Sequence, residues 1–208
     1  MKTRMRRTLS WILVVCMILM LIPYGAATAI TFSSNAVQMI SAGGSHTLMI
    51  RNDGSLWAWG LNGNGQLGDG TTANKAVPTP IGGYTDWIYV SAGGYHSLGI
   101  RADGSLWAWG SNAQGQIGNG GGADVTAPTQ ITTPSGVGWV SVSAGALHSL
   151  AIATGGALYS WGDNGQGQLG RATSPTNAPG QVGSATWSDV SAGGYAYWTG
   201  LSWSSDTA

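Results

Sequence analysis

The sequence predicts an all-β chain, and three observations carry that prediction. A segment recurs at intervals of about fifty residues: Ile40-Ser41-Ala42-Gly43-Gly44-Ser45-His46 returns as Val90 to His96, Val142 to His148 and Val190 to Ala196, with its serines at 41, 91, 143 and 191. Within each copy the local period is two. His46, Leu48 and Ile50 fall on one face of an extended segment, as do His96, Leu98, Ile100 and His148, Leu150, Ile152. Finally, 35 glycines and 11 tryptophans stand beside only 8 basic and 8 acidic residues, a composition of tight turns and aromatic packing that excludes coiled coils and ordinary helical domains. At 43% hydrophobic and zero formal charge the chain does not read as disordered either.

The first element is a targeting signal. Lys2, Arg4, Arg6 and Arg7 precede the apolar run Leu9 to Ile22; Pro23 breaks that run, and Ala27-Thr28-Ala29 supplies a cleavage site. Residues 1–29 are therefore expected to be a helical signal peptide, too short in its apolar run to match the roughly 20 residues of a spanning helix. Its removal takes away Cys16, the only cysteine, and with it any disulfide or thiol chemistry. Residues 30–208 keep Arg51, Lys75, Arg101 and Arg171 against eight aspartates and no glutamate. Four scattered cations make nucleic acid a poor partner. The expected location is secreted, extracellular or at the cell surface, with membrane contact only through the signal segment during export.

The repeated units follow. After the His-x-Leu-x-Ile strand, Asp53-Gly54 and Asp103-Gly104 mark tight hairpins, expected as type I′ turns. The return strand brings an aromatic doublet, Trp57 and Trp59, Trp107 and Trp109, or Tyr159 and Trp161, each doublet closed by a glycine. Bulky residues on one face and small ones such as Ala58 on the other suit stacked sheets, in which the aromatics of one unit fill the space left by its neighbour. A glycine-rich turn follows, Asn62 to Gly68, Asn112 to Gly118 and Asn164 to Gly170, and a Pro-containing connector then leads to Trp87, Trp139 or Trp187. Units of this length, made of short antiparallel strands, fit four-stranded propeller blades. The expectation is a partial, open β-propeller: blades at about 37–86, 87–138 and 139–186, and a truncated fourth at 187–208.

The stretches quoted above, SAGGxHSL, DGSLWAWG and NxxGQLG in fixed order, resemble the repeats of the regulator of chromosome condensation family, whose usual ring has seven blades. The resemblance covers Ile40 to about Gly170 and starts again at Val190. It implies a non-catalytic binding module, since secreted bacterial members of the family include a protein that docks a propeller face on beta-lactamases. It also raises guanine nucleotide exchange, the activity of nuclear eukaryotic members; the signal peptide argues against that. A third reading is an accessory part of a polysaccharide-acting surface enzyme.

Catalytic chemistry finds no support in the residues. There is no G-x-S-x-G elbow, no cysteine after processing and no glutamate. His46, His96 and His148 sit at equivalent positions on sheets stacked about 10 Å apart, too far to share a metal, so they are expected to be structural, bonded to backbone groups within their own blade. Trp57, Trp59, Trp107, Trp109, Tyr159 and Trp161 are assigned to packing. No cofactor or metal is implied. The candidate binding residues are those at which the copies differ: Ser45, Tyr95, Leu147 and Tyr195 before the His position, and Leu61, Ser111 and Asp163 after the Trp-Gly. These flank strand ends and should line a rim, with protein as the expected partner, glycan as a second class, and self-association through exposed blade faces as a third.

Overall fold

The computed structural model describes residues 35–132, 136–172 and 176–193, all within the second of two compact units, Ser34–Ala208. The expected signal peptide, residues 1–29, and Tyr195 lie outside the described residues. Twelve strands form three separate four-stranded antiparallel sheets, and no helix occurs among the described residues. Blade 1 comprises β1 (Val37–Ala42), β2 (His46–Arg51), β3 (Leu56–Gly60) and β4 (Lys75–Ile81). Blade 2 comprises β5 (Trp87–Ala92), β6 (His96–Arg101), β7 (Leu106–Gly110) and β8 (Val125–Gln130). Blade 3 comprises β9 (Trp139–Ala144), β10 (His148–Ala153), β11 (Ala157–Gly162) and β12 (Gly180–Thr186). Each is a simple meander, which places neighbours in sequence beside each other in space.

The hairpin joining the second and third strands differs from the expected two-residue turn. Gly54 N–H donates to Arg51 O and Arg51 N–H to Ser55 O, so Asn52, Asp53 and Gly54 form a three-residue loop, with Gly54 at φ 75°. This is a type I turn closed by a glycine bulge. A single residue must adopt positive φ, which is why Asp53 serves here. Its carboxylate accepts from Ser55 N–H and Oγ–H at 3.0 and 2.6 Å, holding its pKa below the usual carboxylate value. Asp103 and Ser105 repeat the arrangement.

Two apolar clusters lie between blades. Leu48, Ile50, Leu56 and Ala58 of blade 1 pack against Trp87, Val90 and Trp109 of blade 2. Leu98, Ile100, Leu106 and Ala108 of blade 2 pack against Trp139, Val142 and Trp161 of blade 3. The small faces thus receive the next blade's aromatics. The doublet, however, divides its labour. Trp109 and Trp161 are fully buried, and their indole N–H groups donate to Gln66 O and Gln116 O of the preceding blade at 2.9 and 2.8 Å. Trp57 and Trp107 are half-buried at the edge, bonded through Nε1 to Ser55 and Ser105. Arg51 lies 3.5 Å over the Trp57 ring.

Candidate functional site

At the end of each blade nearest the Gly-Gly turns, the chain leaves β3, β7 or β11 through a glycine held close to the second strand. Gly60, Gly110 and Gly162 have φ of 107, 102 and 103°. A Cβ on Gly110 would stand 2.6 Å from Tyr95 O and 2.7 Å from His96 Cα. Only glycine permits this approach. Immediately beyond it, Leu61, Ser111 and Asp163 donate their N–H groups to Ser45 O, Tyr95 O and Leu147 O at 2.8, 2.8 and 2.9 Å. The two sets of variable residues thus become three cross-strand pairs, Ser45/Leu61, Tyr95/Ser111 and Leu147/Asp163, one per blade. Ser45 is exposed and the other five are half-buried.

Two of the row residues, Ser45 and Tyr95, also line a cavity of about 460 Å³ formed by the Ser-Ala-Gly turns of all three blades. The turns are tied to one another across blades. Gly44 N–H donates to Gly93 O, Gly94 N–H to Gly145 O and Ala146 N–H to Gly193 O, while Ser41, Ser91 and Ser143 Oγ accept from Ala92, Ala144 and Ala192 N–H. A Cβ on Gly43 would overlap Gly93 O. The lining carries no charged side chain.

Beneath the row lies a polar relay that the sequence did not locate correctly. His46 and His96 are buried, but they do not bond to backbone within their own blades. Their Nε2 atoms meet Ser97 Oγ and Ser149 Oγ of the following blade, both at 2.9 Å. Each serine donates its one hydroxyl proton to Gln66 O or Gln116 O at 2.8 Å. The imidazole must then be the donor, protonated on Nε2, and Nδ1 of both rings is left buried without a partner. Desolvation lowers the His46 pKa to about 4; at His96 desolvation, with the neighbouring histidines, lowers it to about 3. Burial lowers that of the half-buried His148 as well. Ser97, Ser149, Gln66 and Gln116 went unassigned from sequence, although Ser97 and Ser149 directly follow the histidines and the glutamine recurs at 66, 116 and 168.

Three further groups shape the rim. Asn62 is fully buried and anchors its loop, accepting from Leu67 N–H and donating to Asp69 Oδ1, Thr71 O and Ala73 O. Asp163 Oδ2 accepts from Gln168 Nε2 at 2.8 Å, whereas Gln66 Nε2 and Gln116 Nε2, in the blades that carry Leu61 and Ser111 at the sequence position of Asp163, are buried without a partner. On the opposite edge, Arg101 forks onto Asp86 at 2.8 and 2.9 Å and lies over Tyr84 at 3.8 Å.

Comparison with known proteins places these repeats. A family model described as "Regulator of chromosome condensation (RCC1) repeat" matches residues 53–100, 103–152 and 155–196, and a second model of the same description matches 37–66, 87–116 and 139–168. Among curated relatives, the E3 ubiquitin-protein ligase HERC2 of Homo sapiens is 34% identical over 139 residues, 66% of this chain and 3% of that protein. The ultraviolet-B receptor UVR8 of Arabidopsis thaliana is 35% identical over 136 residues, 64% of this chain and 31% of the receptor. Among solved structures, yeast RCC1 (Prp20) bound to Kap60 superposes with a TM-score of 0.70 at 27% identity, covering 79% of this chain and 41% of that one. A second structure, of Prp20p from Saccharomyces cerevisiae, described with its binding to Gsp1p and histones, gives 0.69 at 26%, covering 79% and 43%. The chain spans less than half the length of each of these relatives.

Proposed function

The chain belongs to the regulator of chromosome condensation (RCC1) repeat family, and from that premise we propose that it is a non-catalytic, exported protein-binding module. Its contact surface is the row Ser45/Leu61, Tyr95/Ser111 and Leu147/Asp163. The observation that carries this reading is the contrast between framework and row. Side chains that repeat from blade to blade are buried in inter-blade clusters and bonds, while those that vary stand together at one end of three rigid sheets. Binding residues on a rigid scaffold lose little conformational entropy on association, and Tyr95 is the kind of aromatic that anchors an interface. The family relatives support protein as the partner class: one yeast structure holds RCC1 with Kap60, and Prp20p binds Gsp1p and histones. Export, to the medium or the cell surface, rests on the basic and apolar leader ending at Ala29.

The test is affinity capture from culture medium and cell envelope with the processed chain, followed by quantitative binding of the captured protein to variants. Tyr95→Ala and Asp163→Ala should each weaken binding by about tenfold or more; the melting temperature stays near the wild-type value in the first and falls slightly in the second, which loses the Gln168 bond. Binding untouched by both would sink the row as the contact surface. Nucleotide exchange on a small GTPase, which the family resemblance also raises, is the second reading, and acceleration of GDP release by this chain would replace the adaptor reading.

A further inference from the structure

Blade 1 carries, uncovered, the surface by which blades 2 and 3 are held. In those blades the inner strand buries Trp87 and Val90 at 1% exposure, and Trp139 and Val142 at 2%, against the blade before; the equivalent Val37 and Ile40 are 53% and 59% exposed. Thr47 and Trp59 occupy the places of Ser97/Ser149 and Trp109/Trp161, yet neither side chain has a hydrogen-bond partner among the described residues. The other end of the series is the complement. His148 stands where His46 and His96 reach the next blade's serine, but it is half-buried and makes no such bond among the described residues. Gln168 O, the counterpart of Gln66 O and Gln116 O, receives neither a serine nor an indole there. Residues 187–193 follow the path of a next inner strand without packing as one. Trp187 is 48% exposed, and the segment is held through Trp187 N–H to Gly156 O, Ala192 N–H to Ser143 Oγ and Ala146 N–H to Gly193 O.

We propose that a second copy of this chain docks head to tail, the leading face of its blade 1 on the trailing face of blade 3. Thr47 Oγ then accepts from His148 Nε2 and, together with Trp59 Nε1, donates to Gln168 O, repeating group for group the contact built twice within one chain. Ala42 N–H and Gly43 O take over the bonds to Ser143 Oγ and Ala146 N–H that residues 187–193 now hold, and that segment is displaced. Covering Val37 and Ile40 supplies the apolar contribution. Head-to-tail contacts either close into a ring or run on as a chain. The inference shares the family assignment with the adaptor reading but not its contact row.

Sedimentation analysis of the purified chain over a wide concentration range tests it. The expected result is a dimer, or head-to-tail chains, weakened about tenfold or more in Kd by Ile40→Asp, which would bury an unpaired carboxylate in the contact. Ile40 is exposed within one copy, so this variant leaves the monomer fold intact; Val37→Asp repeats the test from a neighbouring exposed position, and His148→Ala removes the complementary donor. Tyr95→Ala, on the row but in blade 2 and away from both docking faces, should leave association unchanged, which separates this inference from the adaptor reading. A wild-type chain that stays monomeric, or an assembly that survives both Ile40→Asp and Val37→Asp, overturns it.

Discussion

Lowering the pH from 7 to 5 should weaken the contacts between blades, and the amount follows from two side chains. His46 and His96 each donate through Nε2 to a serine of the next blade, and each leaves Nδ1 buried where an added proton finds no acceptor. Their folded-state pKa values lie at about 4 and about 3, below the ordinary 6.5. The unfolded chain therefore binds more protons at any pH below 6.5. Stability is complete above that value and declines as pH falls toward the folded pKa values. At pH 5 each histidine has cost about 2 kcal/mol, hence about 4 kcal/mol for the pair, a large share of the 5–15 kcal/mol of a typical domain. Asp53 and Asp103, with lowered pKa values, remain ionised across this range and do not confound it. Urea unfolding at pH 7 and pH 5, followed by tryptophan fluorescence, measures the difference. In His46→Gln it should be smaller by about 2 kcal/mol, since His148, whose pKa burial also lowers, contributes equally to both proteins. A wild-type difference below about 1 kcal/mol, or one that His46→Gln leaves unchanged, would refute the inter-blade relay as the acid-sensitive element.

Three substitutions probe other parts of the same framework. Ser149→Ala removes the acceptor of His96 Nε2 and one donor to Gln116 O; a loss of about 1–3 kcal/mol at pH 7 is expected in chemical unfolding, and no loss would show the relay to be energetically idle. Ser111→Asp gives the unpartnered Gln116 Nε2 the carboxylate that Asp163 gives Gln168, so the melting temperature should rise, by the equivalent of about 1 kcal/mol; a fall would show that desolvating the new carboxylate outweighs its bond. Gly110→Ala forces a Cβ to 2.6 Å from Tyr95 O at a φ of 102° and should cost about 2 kcal/mol or more, whereas Gly120→Ala, which meets no neighbouring atom within 4 Å, should cost less in the same unfolding assay.

The candidate row shows how far reading along the chain reaches. Ser45, Tyr95 and Leu147 on one side, and Leu61, Ser111 and Asp163 on the other, were legible as positions where the copies disagree. Their pairing across two strands came from the register His46↔Gly60, His96↔Gly110 and His148↔Gly162, which continues one step beyond the sheet. The hairpin at Asp53-Gly54 was legible as a turn, but its type depended on whether Asn52 joined the loop, a choice made by hydrogen bonds and not by residue identity.

By itself the sequence determined the strands, their grouping into blades and the aromatic and small faces, because a period of two and a recurrence near fifty residues are local properties that need no partner to be seen. Only the tertiary structure decided which blade each buried polar group serves. Every copy offers His46, His96 or His148 the same backbone and hydroxyl partners, so repetition cannot distinguish a bond within a blade from one to the next. The distinction came from the packing of neighbouring sheets, which brings Ser97 to His46 and Ser149 to His96 across 51 and 53 residues of chain and leaves Thr47 at one end, and His148 at the other, without such a partner among the described residues.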